Sequence, residues 1–209
     1  MTDSHVYTVA SGFGLRVIPV AAPYELAMGP QPGQLDIDRW AGDTHLFARM
    51  TPMDGGYSSE LAEGTGSLHD VVDIETGPAF TSWWLETSVF RVPLPPGWRA
   101  IAEGAPDSPN MFDLIGPNDA VIYVQTPRRI PAPSAMVAPG QRLHDEGTTE
   151  RSRWVEVRYH HEHREWAQRH DVVALDGLTC VVTSQCPVSA LQSITAARDA
   201  VVDGVCASS

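Results

Sequence analysis

The sequence predicts an α+β fold: a largely antiparallel sheet with a C-terminal amphipathic helix across one face, and N-terminal strands from a partial internal duplication. Three observations carry this expectation. Residues 15–52, LRVIPVAAPYELAMGPQPGQLDIDRWAGDTHLFARMTP, lie without a gap over residues 90–127, FRVPLPPGWRAIAEGAPDSPNMFDLIGPNDAVIYVQTP. Between Trp154 and Pro187, apolar and polar residues alternate at the two-residue period of half-buried strands. After Pro187 the period changes to that of a helix.

Each repeat copy reads as strand, Pro-rich corner, strand, polar turn, strand, Gly-containing turn, strand. The copies share Arg16/Arg91, Val17/Val92, Ala27/Ala102, Gly29/Gly104, Asp38/Asp113 and Thr51-Pro52/Thr126-Pro127, and their apolar positions agree in kind, as in Leu15/Phe90, Leu26/Ile101 and Ile37/Phe112. The first copy continues into a Gly-rich acidic stretch, where a helical turn is expected at Ser58–Glu63, closed by Gly64. Gly12-x-Gly14 reads as a strand edge or bulge, and Trp40-Ala-Gly42 as a packing Trp before a turn Gly. The organisation expected is a partial repeat over 1–80, adding strands to an α+β body over 81–209. A half-copy cannot bury its apolar face alone, so it must dock on the second unit or on another subunit; an enlarged sheet or an exchanged homodimer follows.

After the second copy the prolines of RRIPAPSAMVAPG interrupt any ladder, so this stretch is loop. Asp176-Gly177 between DVVAL and LTCVVTSQ signals a hairpin. The closing helix carries Leu191, Ile194, Ala197, Val201 and Val205 as one stripe. Ser189 with Gln192 reads as its capping box, and Gly204 as the residue that ends it.

Composition excludes several kinds of chemistry. The formal net charge is −12, which disfavours nucleic acid and anionic membrane surfaces as partners. Residues 1–80 hold 11 acidic against 3 basic side chains, a net of −8. All 14 basic residues are Arg, so no Lys is present to form a Schiff base or act as a general base. Three cysteines without a C-x-x-C suggest no disulfide framework or structural zinc, and a reducing cytoplasm is the expected location. The N-terminal residues show no basic-then-apolar leader pattern, and no window has the apolar length of a membrane span.

The corner VPLPPGW (Val92–Trp98), then a meander, a polar hairpin, a last strand CVVTSQCP and a terminal helix, resembles the PsbP/Mog-like fold, and within it the LpqN-type actinobacterial proteins, over residues 85–206. The resemblance implies a binding protein without catalytic residues or cofactor. The chain differs from the LpqN type in having residues 1–80 and no lipobox, which weighs against a role in the cell envelope.

The function expected is therefore a non-enzymatic protein-binding module of a bacterial cytoplasm, of the secretion-chaperone or toxin-neutralising type. Its expected contact residues are Trp83, Trp84 and Trp98. Trp83 and Trp84 are strand neighbours, so they point to opposite faces; one is exposed as an anchor or covered by residues 1–80. The alternative is a small-ligand or metal-binding protein or enzyme using His161, His163 and His170. On a strand, His161-x-His163 would present two imidazoles to one face, with His170 as a third ligand; a solvated hairpin tip explains the same residues. Cys180 and Cys186 share strand parity and read as small core residues.

Overall fold

The computed structural model describes residues 8–103, 111–126, 132–175 and 178–208. They fall into two compact units, 1–112 with 208–209, and 113–207. The fold is α+β and mostly β: antiparallel sheets and one C-terminal helix.

The first unit contains β1 (Val9–Gly12), β2 (Leu15–Pro19), β3 (Tyr24–Met28), β4 (Leu35–Ala41), β5 (Thr44–Met53), β6 (Gly56–Leu61), β7 (Val72–Thr76), β8 (Trp84–Glu86), β9 (Phe90–Pro93) and β10 (Arg99–Ala102). Within this unit they form two ladders, in the orders β9-β8-β1-β2-β7 and β10-β3-β4-β5-β6. Alternation decides the inner faces: Leu15 and Val17 of β2, Leu35 and Ile37 of β4, and Leu46, Ala48 and Met50 of β5 are buried, while residues between them are not. Trp83 is fully buried, packs edge-on against Phe13 at 5.4 Å and donates Nε1–H to the Gly33 carbonyl at 2.8 Å. Tyr24 Oη lies 3.1 Å from both the amide and the carbonyl of Thr8, tying β3 to the entry of β1.

Register gives the duplication a geometric form. Ala10 of β1 stands directly opposite Leu85 of β8. These residues are 75 positions apart, the same step that carries Leu15 onto Phe90. In the other ladder, Leu26 pairs with Ala100 and Glu25 with Ile101, so each residue faces the counterpart of its neighbour. The pairings of β1 with β8 and of β3 with β10 thus both relate the copies by a local two-fold axis. The strands of the first copy are β2, β3, β4 and β5, and the second copy begins with β9 and β10 in the same order.

The second unit contains β11 (Asp113–Ile115), β12 (Val121–Gln125), β13 (Arg142–Thr148), β14 (Ser152–His161), β15 (Arg164–Leu175), β16 (Leu178–Pro187), α1 (Leu191–Gly204) and β17 (Cys206–Ala207). β11 and β12 complete the second copy. The sheet order is β13-β14-β15-β16-β12-β11, and α1 packs on β16 and β15. Leu175 stands opposite Leu178, the two-residue hairpin that Asp176-Gly177 signals, although the turn itself lies outside the described residues. Ile194, Ala197, Val201 and Val205 are buried along the helix.

Four local expectations are corrected. Ser58–Glu63 is not helical: Gly55, at φ +79, closes a two-residue turn after Met53, and the following residues pair with β5 as β6. Gly12 ends β1 and Gly14 lies with Phe13 in a two-residue hairpin turn rather than in a bulge, with Phe13 at φ +55 and Gly14 at φ +83; a Cβ on Gly12 would meet the Ser82 carbonyl at 2.5 Å. Ser189 does not cap α1, which is entered through a 3₁₀ turn at Val188–Ala190 with no side-chain cap, and Gly204 is its last residue without positive φ. Trp40 falls on the outer parity of β4 and stacks on His45 at 5.4 Å instead of packing inside.

Trp83→Ala should destabilise the protein by about 3–5 kcal/mol, the cost of emptying a large core site. Trp83→Phe should also cost stability, because the part-buried Gly33 carbonyl loses its donor. Chemical unfolding of both variants checks this ranking.

Candidate functional site

The three tryptophans do not form one surface. Trp83 and Trp98 are buried in the first unit, and Trp84 keeps part of its ring in solvent beside Phe80 at 5.6 Å, with the Arg91 guanidinium over it. Residues 1–80 do cover Trp83, through Phe13 and Gly33.

The histidines are likewise dispersed. β14 ends at His161, and the chain reverses at Glu162 and His163, whose φ values of +48 and +63 make the tip a tight hairpin turn. His163 therefore does not continue the strand parity of His161. His161 is exposed and lies edge-on to Trp166, whereas His170 stands opposite Val155, well along the ladder. Among the described residues, no group of three His, Cys, Asp or Glu side chains could hold a metal ion.

Beneath α1 lies a cluster of ionisable groups. Arg169 makes two bonds to Asp171, at 2.9 and 3.0 Å, and stacks 4.0 Å over Trp154. Asp171 also accepts from Ser152 at 3.0 Å; Arg158 pairs with Glu156 at 2.7 Å, and Arg198 with Asp199 at 2.8 Å. The recess among Glu156, Arg169, Ser184, Leu191, Ile194 and Arg198 has about 10 Å³, room for a single water. Each guanidinium already has a carboxylate, so this cluster seats the helix and leaves no unmatched cation for an anion. Cys180 and Cys186 are buried on the same side of β16, and burial pushes both thiols up to about 11.

The other face of this sheet carries a group of polar side chains beside the buried Val155 and Val157. Tyr123, Thr183 and His170 stand opposite one another across β12, β16 and β15, with Gln168 two positions before His170. Gln141 Nε2 donates to Gln168 Oε1 at 2.7 Å, Gln168 Nε2 to Tyr123 Oη at 3.3 Å, and His170 Nδ1 meets Thr183 Oγ1 at 2.9 Å. Burial holds the His170 imidazole below its ordinary value, partly offset by Asp171, and raises the Tyr123 phenol.

A different kind of site lies on the first unit. β6 ends its sheet order, and almost all of it is exposed. Around the turn after Met53, the ladder places the Ala62 amide on the Phe47 carbonyl, so the even-numbered residues of β6 bond to β5. The amides and carbonyls of Tyr57, Ser59 and Leu61 therefore point away from the sheet. Six large hydrophobic side chains are exposed among the described residues, and four of them, Trp40, Met53, Tyr57 and Leu61, belong to β4, β5 and β6. Sequence reasoning passed over this edge because Ser-Ser-Glu-Leu-Ala-Glu carries a helix-like composition; the Asp54-Gly55 turn was the available signal.

No family model matches the chain, and no curated protein matches it. Among solved structures it is similar to the crystal structure of LpqN, involved in cell envelope biogenesis of Mycobacterium tuberculosis, at 14% identity and a TM-score of 0.31, over 57% of this chain and 83% of that chain. That is a weak structural relationship.

The buried thiols yield a pH prediction. A thiol whose folded pKa stands above its unfolded value favours the native state below the unfolded pKa. That contribution is lost as pH rises from 9 toward about 11. Urea midpoints should hold below pH 8.5 and fall above 9, less steeply in a Cys180→Ala, Cys186→Ala double variant. At pH 8 a thiol reagent should modify Cys206, which is partly exposed, well before the other two.

Proposed function

We propose that the chain is a non-enzymatic protein-binding module that accepts an extended partner segment at the open edge of β6. The observation that carries this reading is the coincidence, on one strand, of outward backbone groups at Tyr57, Ser59 and Leu61 that have no partner among the described residues with the exposed side chains of Tyr57 and Leu61. An added strand would satisfy those groups, and its alternate residues would cover the two apolar anchors. The net charge of −8 over residues 1–80, with Asp54, Glu60 and Glu63 around this strand, favours a partner segment carrying basic side chains between its apolar ones.

A bacterial cytoplasm, a secretion-chaperone or toxin-neutralising role and a PsbP/Mog-like kinship of residues 85–206 belong to this same reading. Trp84, half-exposed beneath Arg91, is its second contact point.

Ser59→Pro removes one outward donor without breaking a β5–β6 bond, because Ser59 lies at a position that does not bond to β5. The intact chain should capture a stoichiometric protein from native lysate, and the variant should bind that protein at least tenfold more weakly with unchanged melting behaviour. Undiminished capture by Ser59→Pro would remove the edge from the account. A chain that instead forms a dimer in light scattering, dissolved by the same substitution, would make its partner a second copy.

A further inference from the structure

Among the described residues β6, β7 and β13 each end a sheet order. Two of these edges are guarded. β13 shifts register between Leu143 and Asp145 and exposes His144, Asp145 and Glu146, and β7 exposes Asp73 and Glu75. Bulges and charges of this kind keep a further strand off an edge. The register of β6 with β5 runs without a shift from Met53↔Gly56 to Ala48↔Leu61, and the residues whose backbone groups point outward, Tyr57, Ser59 and Leu61, are uncharged.

The duplication shows what such a place takes. β5 of the first copy corresponds to β12 of the second; β6 pairs antiparallel with β5, and β16 with β12. β16 carries β15 antiparallel along its far side. Beside β6 the corresponding place holds no strand among the described residues.

The sequence of β6 fits itself in that place. In an antiparallel pair of β6 strands centred on Ser59, Ser59 faces Ser59 and Tyr57 faces Leu61 of the second copy. These are the outward-bonding positions, so every N–H and C=O they direct away from the sheet meets one on the other chain. The exposed side chains of Tyr57 and Leu61 then stand directly opposite each other on one face, twice over. Glu60 faces Ser58 of the second copy and keeps Arg49 opposite it on its own β5. Centring the pair on Glu60 would set two carboxylates against each other, and centring it on Ser58 would push Leu61 past the end of the facing strand.

We propose that two copies of the chain join β6 to β6 about a two-fold axis at Ser59, closing this edge in the free protein. The proposal rests on the reading of β6 as a pairing edge, and the second copy competes with a partner segment for the same backbone groups.

Light scattering of the full chain should show a monomer–dimer equilibrium in the micromolar range, as an interface of one short strand pair implies. Ser59→Pro should raise its dissociation constant at least tenfold. In a Cys206→Ser background, Ser59→Cys should form a disulfide-linked dimer on mild oxidation, since hydrogen-bonded antiparallel residues stand about 5.5 Å apart at Cα, inside the disulfide range. Ser58→Cys, which faces Glu60 of the second copy, should stay uncrosslinked on a non-reducing gel. A monomer at every concentration, a dimer indifferent to Ser59→Pro, or crosslinking of Ser58→Cys ahead of Ser59→Cys would overturn the proposal. The dimer and the partner edge fail separately. A chain that stays monomeric while its capture falls with Ser59→Pro keeps the partner edge and loses the dimer. A Ser59→Cys dimer that captures a lysate protein as well oxidised as reduced keeps the dimer and loses the partner edge.

Discussion

Everything in the first unit depends on one constraint: a repeat copy that ends in open strand edges cannot be stable alone. β1 and β2 make a two-stranded hairpin, and β3 opens a meander whose first edge is bare. The unit resolves both problems by pairing each copy with its counterpart, β1 on β8 and β3 on β10. Antiparallel pairing of equivalent strands is what a local two-fold axis demands, and the central register places Ala10 on its own equivalent, Leu85. The two ladders bury Val17, Leu26 and Ile37 of the first copy and Phe90, Val92 and Ala100 of the second, along with Trp83 and Leu85. The cost is at the periphery, where β6 ends a ladder with nothing beside it among the described residues.

Much of this order could be read from the sequence, and the failures have identifiable causes. The strands of both copies, the three long strands from Ser152 to Pro187 and the terminal helix follow from alternation and turn chemistry, which are local properties. β6 was missed because its Ser, Glu and Leu residues have no strand alternation; pairing with β5 overrides their weak helical preference. Ser189 looked like a cap, but the chain enters α1 through a 3₁₀ turn after Pro187, which moves the helix start past it. The cross-copy pairing itself was invisible, since register between residues 75 positions apart leaves no local mark.

The sites show the same division. The parity of Cys180 and Cys186 was legible, and both are core residues. Of the two readings of His161-x-His163, a strand face or a hairpin tip, the chain takes the tip, because the reversal falls on Glu162 and His163 themselves. The polar run through Gln141, Gln168, Tyr123, Thr183 and His170 could not have been read at all, because its members meet across separations of 27 and 45 residues. Chemically, the two faces of the second sheet are opposites. Beneath the helix every guanidinium has its carboxylate, so charge serves packing. On the other face neutral side chains bond to one another instead, Gln141 to Gln168, Gln168 to Tyr123, and His170 to Thr183.

Native-state hydrogen exchange across the first unit tests the two-fold pairing most directly. If the copies stabilise each other, the bonded amides of β1, β8, β3 and β10 exchange only through one shared opening, with equal free energies and equal sensitivity to denaturant. Amides of β1 and β2 that open at lower free energy, while β8, β9 and β10 stay protected, would show that the second copy stands without the first and would contradict the account.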